Sequence, residues 1–238
     1  MIYTMAKRVL DLTLSSVALM MLAPLLLPVV LILKFTGEKE VFFRQERLGY
    51  QNRPFSILKF ATMLKDSPSI GSGDITVRGD PRVLPFGKFL RKWKLNELPQ
   101  LINIILGDMS LVGPRPLMPI SFEMYPENFK SLVYQSRPGL TGIASLVFRD
   151  EEALIAARGG DVRTFYRDII YPYKGELEYW YQKNKSFTVD LQIIMMTAVA
   201  IFMPQSNVIL KPFRSLPEPP AELSAVRKRL RAELYPLC

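Results

Sequence analysis

Leu12-Thr13-Leu14-Ser15-Ser16-Val17-Ala18-Leu19-Met20-Met21-Leu22-Ala23-Pro24-Leu25-Leu26-Leu27-Pro28-Val29-Val30-Leu31-Ile32-Leu33 is the stretch on which the fold turns. It is 22 residues without a charge, set between Asp11 and Lys34. As a helix rising 1.5 Å per residue it is long enough to cross a hydrocarbon layer of about 30 Å. Pro24 and Pro28 count against a plain crossing. Each lacks an N–H and crowds the carbonyl four residues back, so the carbonyls of Met20 and Pro24 lose their helical donors. In lipid a bend supplied with water or neighbouring protein would satisfy them. Both flanks are basic, with Lys7 and Arg8 before the run and Lys34, Lys39, Arg44 and Arg47 after it. Such flanks give a straight span no direction but suit a hairpin that returns to its starting face. The stretch therefore predicts a re-entrant helix–break–helix over residues 1–36, with Pro24 as the kink. A cleaved signal peptide fits less well, because no small-residue cleavage site follows. A core helix is seldom apolar all round.

The rest of the composition narrows the chemistry. The chain has 238 residues, 49% of them apolar, with 31 Lys+Arg against 22 Asp+Glu and a formal charge of +9. That length supports one sizeable core, and the composition is too apolar for disorder. With no histidine, a Ser-His-Asp triad, a Cys-His dyad and a His-ligated zinc site are excluded. The single cysteine, Cys238, excludes an intrachain disulfide and a thiolate cluster. Reactive groups must come from carboxylates, hydroxyls, Lys, Arg, Tyr, backbone or a hard metal ion, and the basic balance points to anionic partners.

Outward from the apolar run, Val41–Arg47 and Pro54–Phe60 read as strands joined by the turn Leu48-Gly49-Tyr50-Gln51-Asn52, a hairpin. Residues 64–87 hold four glycines and three prolines and read as a long, functional loop. From Leu95 the period turns helical. Leu95, Leu98, Leu101, Ile102 and Ile105 share one face, and Asn96, Gln100 and Asn103 the other. Pro99 is tolerated only in a first turn, which places Asn96 and Glu97 at a helix start where anions are favoured. Gly107–Pro119 and Arg137–Gly142 read as irregular loops. Residues 151–183 are helical in parts. Phe187–Met203 is a second apolar segment, whose charge-free part is too short to span and reads as a core or interfacial helix. After the linker Leu216–Pro220, Leu223, Val226, Leu230 and Leu234 recur at helical spacing beside Arg227, Lys228, Arg229 and Arg231. This basic amphipathic tail is suited to anionic lipid, to pairing with another helix, or to solvent.

Between Arg78 and Lys94 six cations (Arg78, Arg82, Lys88, Arg91, Lys92, Lys94) face Asp80 alone, and Lys59 and Arg115 add to them. Together they could clamp a diphosphate, although a basic run is more often a solvated face. Gly71-Ser72-Gly73-Asp74 lacks a phosphate-loop ending. Glu97 could hold Mg²⁺, act as a base or attack phosphorus, and equally could cap the helix.

The runs Lys94-Leu95-Asn96-Glu97-Leu98-Pro99-Gln100-Leu101 and Gly107-Asp108-Met109-Ser110-Leu111-Val112-Gly113-Pro114-Arg115-Pro116 resemble the bacterial sugar transferase family, the monotopic polyprenyl-phosphate glycosyl-1-phosphate transferases. Further matches are Phe43–Gly49, Lys59-Phe60 with Met63, Asp80-Pro81-Arg82 and Arg137–Gly142, in order from Ala6 to Met203. The resemblance implies a short catalytic form with a mainly helical α+β fold. That fold would carry a re-entrant N-terminal helix bent here at Ala23-Pro24, a small β-hairpin and interfacial amphipathic helices. Residues 37–203 would be a catalytic domain on the cytoplasmic face of the bacterial inner membrane, and residues 204–238 a linker and tail.

The implied reaction moves a sugar-1-phosphate from a UDP-sugar to undecaprenyl phosphate, releases UMP and starts a surface glycan. Mg²⁺ is the implied cofactor, held in part by Glu97. Anionic lipids are the expected surface partners, nucleic acid is not expected, and a homodimer is left open. Arg115 would bind phosphate, with Arg82, Arg91 and Lys59 as further candidates. Position 96 departs from the family, which usually carries an Asp-Glu dyad whose Asp attacks the β-phosphorus. Asn96-Glu97 leaves Glu97 to attack, or the lipid phosphate to attack directly, or a family member that binds nucleotide sugar or partner proteins without turnover.

Overall fold

The apolar run folds as expected into a helix, but without the expected gap. In the computed structural model, which describes residues 2–67, 70, 79–203 and 209–234, helix α1 runs continuously over Ile2–Phe35 with Pro24 and Pro28 inside it. The helix–break–helix is thus corrected to one helix through both prolines. Each proline forfeits a single hydrogen bond, and the leucines around it are good helix formers that hold the turns on either side. One stripe of α1 is covered: Asp11, Ser15, Leu26, Val29 and Leu33 are buried, while Met20, Met21, Leu25, Leu27 and Leu31 stay exposed.

The hairpin is present. Strands β1 (Phe42–Leu48) and β2 (Pro54–Phe60) pair antiparallel with Phe43 opposite Lys59 and Arg47 opposite Phe55. Helix α2 (Pro85–Lys92) starts on a proline and buries Leu90 against Phe60 and the Leu26–Leu33 part of α1. A single tight turn, Leu95–Glu97, then leads into α3 (Gln100–Leu106), so the helix expected from Leu95 begins five residues later. Its polar residues Gln100 and Asn103 are covered along with Leu101 and Ile104. Asn103, 4% exposed, takes Leu58 N–H on Oδ1 at 2.9 Å and donates Nδ2 to Ser56 O at 2.9 Å, stitching α3 to β2.

Two segments expected as irregular loops contain three-residue strands. These are β3 (Ser110–Val112) and β4 (Gly139–Thr141), paired in parallel with Ser110 opposite Gly139 and Val112 opposite Thr141. Between them lie α4 (Pro119–Glu123) and α5 (Glu127–Val133). After them come α6 (Ile143–Val147), α7 (Glu151–Arg158), α8 (Val162–Phe165), α9 (Tyr171–Asn184) and α10 (Phe187–Phe202). The main core gathers around α9 and α10, where Leu177 and Ile193 are fully buried, each worth about 1.5–3 kcal/mol.

Ile209 and Phe213 join this core, as do Leu223 and Val226 of helix α11 (Ala221–Leu234), which packs on α7. Among the readings of the tail, pairing with a helix is therefore the one met within this chain. The side chains of Lys228, Arg229, Leu230, Arg231 and Leu234 lie outside the described residues, as do Gly71–Asp74, Arg78 and Cys238.

Polar contacts moor the start of α1 to this body. Arg8 donates to the carbonyls of Ile104 and Ile105 at 2.7 and 3.0 Å, the first of which also accepts Gly107 N–H at 3.1 Å. Asp11 accepts Leu111 N–H at 2.9 Å and the Ser110 hydroxyl at 3.1 Å. Asp190 on α10 gathers Lys7 at 2.7 Å, Tyr3 at 2.9 Å and Tyr181 at 2.8 Å.

Candidate active site

Arg115 is presented by a crossing of two backbones. A Cβ on Gly113 would run into the Arg137 carbonyl, and one on Gly139 into Gly113 N, so only glycine lets the two loops touch. Gly139 N–H donates to Pro114 O at 2.8 Å and Gly113 N–H to Thr141 O at 3.0 Å. Pro114 and Pro116 fix the backbone on each side of Arg115. Its own N–H points to Glu178 Oε1 at 3.4 Å, and its carbonyl accepts the Tyr134 hydroxyl at 2.9 Å. The side chain leaves this rigid base 46% exposed.

Glu97 arrives from the other side. Lys94 takes a left-handed φ of 57°, which reverses the chain after α2 and starts the tight turn. Lys59 is carried by β2, whose position Asn103 fixes. Lys59 Nζ lies 3.2 Å and Arg115 Nη2 3.3 Å from the same oxygen, Glu97 Oε1. Arg47, Ile57, Gln100, Pro116 and Gly139 complete the cleft lining, which encloses about 10 Å³.

Three cations thus face one carboxylate. Burial alone would raise the Glu97 carboxyl, but Lys59, Arg115 and Lys94 hold it far below the usual carboxylate range. Burial pushes Lys59 down to about 8, and the neighbouring Arg115 and Arg47 push the same way. Arg47 is itself lowered to about 10 by burial and by Arg115. The arrangement is one that a multiply charged anion would relax.

The sequence-derived candidates divide. Lys59, Glu97 and Arg115 meet in the cleft, and Asn96 is buried beside Glu97 with its Oδ1 unpartnered. Arg82 lies elsewhere. Its guanidinium is closed on Asp80 at 2.6–3.2 Å and on the carbonyls of Ser67 and Ile70 at 2.8 and 2.9 Å. It does not line the cleft, and here it holds a loop, with a carboxylate and two carbonyls taking its donors. Arg91 sits 3.5 Å from Glu152 and does not line the cleft. Pro24 is on the exposed side of α1.

Sequence reasoning counted Arg47 only as a flanking charge. Hairpin register would have found it, since opposite Phe55 it shares a sheet face with Ile57 and Lys59. Glu178 carried no signal of its own. It is 2% exposed, its Oε2 is unpartnered, and burial raises it to about 8.

The donor set can be tested against Mg²⁺. Glu97 lines the cleft, whereas the unpartnered Oδ1 of Asn96, next to it in the chain, is buried and does not. Among the described residues no cluster of three or more acidic, His or Cys ligands forms a cage. One carboxylate, Glu97, fits a Mg²⁺ that takes its remaining ligands from substrate phosphates and water, the usual habit of this ion.

Comparison with known proteins gives the family. The exopolysaccharide production protein ExoY of Rhizobium meliloti (strain 1021) is 32% identical over 217 residues, 85% of this chain and 88% of that protein. The UDP-N-acetylgalactosamine-undecaprenyl-phosphate N-acetylgalactosaminephosphotransferase of Aeromonas hydrophila is 33% identical over 198 residues, 82% of this chain and 43% of that protein. The undecaprenyl-phosphate glucose phosphotransferase of Komagataeibacter xylinus is 41% identical over 145 residues, 59% of this chain and 27% of that protein. The chain therefore spans most of ExoY but less than half of these two phosphotransferases. The family model for bacterial sugar transferases matches residues 2–204. With that match covering most of its length, the chain belongs to the bacterial sugar transferase family.

Proposed function

We propose that this protein transfers a sugar-1-phosphate from a UDP-sugar to undecaprenyl phosphate and releases UMP. It would do so at the cytoplasmic face of the bacterial inner membrane, as the first membrane step of a surface glycan. The observation that carries the reading is the cleft in which Lys59, Arg47 and Arg115 surround the single carboxylate Glu97, on a body that also holds an exposed apolar helix. Two phosphate groups repel each other, and a site that brings them together needs an excess of cations already in place.

A monotopic seat, with the unbroken α1 lying along the body instead of turning back, is supported by where α1 is held. Arg8 and Asp11 dock near its start on α3 and β3, and Leu33 docks near its end against Phe60 and Leu90. These attachments are about 33 Å apart along the helix, yet belong to one body. A straight crossing would drag the charged residues of that body into the lipid. The exposed side of α1, together with Phe187, Leu191, Met195 and Phe202 on α10, offers an apolar surface to a single leaflet, with anionic lipids meeting the basic flanks.

In the cleft, Arg115 and Lys59 would receive the diphosphate. The present cleft volume admits about one water, so a diphosphate enters as Arg115 swings off Glu97. Its exposed side chain leaves it room to do so. Glu97 stays ionised throughout the physiological range and is the carboxylate on which turnover depends. Glu97 would hold Mg²⁺, which when bound neutralises charge on the phosphate oxygens.

Glu97→Gln is expected to lower UMP release from a UDP-sugar panel by more than about a hundredfold in nanodiscs. Undiminished release would remove Glu97 from the mechanism. A second reading, nucleotide-sugar binding without turnover, draws on the neutral, unpartnered Asn96. Asn96→Asp separates the two. A silent wild type that gains UMP release favours the binder, whereas an active wild type supports the transferase.

A further inference from the structure

Beyond the cationic cleft, the closed end of the β1–β2 hairpin carries a hollow of about 310 Å³ lined by Tyr50, Gln51, Asn52, Ser131, Tyr134 and Gln135. We propose that this hollow binds the nucleoside end of the donor and reads a uracil-type base with its carboxamides. The proposal rests on the transferase reading and names the part of the donor that the cleft does not hold.

The chemistry of the lining is neutral. Among the described residues none of those lining the hollow is charged. Its volume sits at the small end of ligand cavities, a size suited to a nucleoside rather than a lipid. Gln51 and Asn52 make no side-chain hydrogen bonds with the described residues, and Gln135 uses only its Nε2, on Ser131 O at 3.4 Å. Three carboxamides therefore keep free donors and acceptors. A carboxamide presents a donor and an acceptor side by side, the complement of an imide edge where an N–H lies between two carbonyls. Tyr50 supplies an aromatic surface. Its ring is 44% exposed and the Arg137 guanidinium lies 5.9 Å from its centroid, while Arg137 Nε is tied to Gly107 O at 2.7 Å. An aromatic ring held in this way is a stacking platform for a base.

The backbone is shaped for the same end. Gln51 and Asn52 both lie in the left-handed region, at φ 56° and 58°. Together they make the tight turn that closes the hairpin, with Arg53 N–H donating to Tyr50 O at 3.3 Å. Tyr134 joins the hollow to the phosphate anchor. Its carbonyl accepts Gln51 N–H at 2.9 Å, and its hydroxyl donates to Arg115 O while accepting Leu117 N–H at 2.8 Å. Register gives the order of these groups along the hairpin. Lys59 is opposite Phe43 toward the open end of the hairpin, the hollow lies past the Leu48–Pro54 pair at the closed end, and Arg47 lies between. With the reacting phosphate at Lys59 and Glu97, the group at the hairpin turn is the leaving nucleotide.

The full chain in nanodiscs tests this with 4-thio-UDP as a photo-crosslinking probe, alongside donor kinetics of Tyr50→Ala and Ser131→Phe. The expected crosslink falls on peptides spanning residues 48–59 or 131–137, and UDP but not ADP competes it away. Each variant is expected to raise the donor KM about tenfold, with kcat within about twofold of wild type. Ser131→Phe fills the hollow and Tyr50→Ala removes the platform, so a folding defect in one leaves the other decisive. Turnover with unchanged KM in both variants, or a crosslink elsewhere, would overturn the subsite and leave the transferase reading standing. Equal competition by ADP would overturn the base assignment. A wild type that neither turns over any UDP-sugar nor crosslinks would remove both readings.

Discussion

Arg82 and Arg115 look alike in sequence. Each follows a proline, each lies in a Gly- and Pro-rich stretch, and each is a reasonable phosphate ligand. Folding treats them in opposite ways. Arg82 is 4% exposed, and its guanidinium is filled by a two-oxygen contact with Asp80 and by two backbone carbonyls. Arg115 leaves its side chain half in solvent, touching Glu97 through one nitrogen at 3.3 Å. The difference lies in charge balance. Around Asp80 a cation meets an anion one to one and the acceptors saturate it. Around Glu97 three cations compete for one carboxylate. Saturation marks a structural arginine, and a surplus marks one available to a ligand.

The sharpest break of this contrast is Arg82→Ala. It strands Asp80 in the interior and is expected to cost about 3–5 kcal/mol, read as a lower denaturation midpoint, while activity per folded molecule stays near wild type. A stable but inactive Arg82→Ala would return Arg82 to the site. Arg115→Ala should do the reverse, losing about a hundredfold in kcat/KM for the donor with little change in melting, because an exposed ion pair adds little stability. Equal damage to folding in both variants would erase the distinction.

A gentler probe is pH. Lys59 has its proton below about 8 and loses it above, so kcat/KM for the donor should fall about tenfold per pH unit on the alkaline side. Lys59→Arg should carry activity to higher pH, since guanidinium keeps its charge. Glu178 also changes charge near 8, so Glu178→Gln is the control and should leave the fall in place.

Much of this was legible before folding. The uncharged run announced its helix, two β-like runs around a Gly- and Asn-bearing turn announced the hairpin, and the leucine spacing announced α3 within a few residues of its start. Chain continuity through Pro24 and Pro28 was not legible, because a proline removes one hydrogen bond without dictating whether the helix stops. The β3–β4 pairing was hidden for another reason. Three-residue strands have no measurable period, and their partners are 29 residues apart. Arg47 needed the register, and Arg82 needed the knowledge that Asp80 would turn toward it. In the site, Lys59, Glu97 and Arg115 were each named from motifs and charge. Their convergence on one oxygen depends on Asn103 stitching α3 to β2, a contact between distant segments that no local pattern encodes.

The glycine crossing beneath Arg115 has a kinetic consequence. With prolines on both sides, main-chain atoms in contact below, and both its amide and carbonyl engaged, this residue has only its side-chain torsions left to move. The doorway to the cleft is therefore a rotor on a fixed axle. Side-chain rotations at a surface take picoseconds to nanoseconds, far faster than a hinged flap, so admission of an anion here need not wait for a segment of chain to travel.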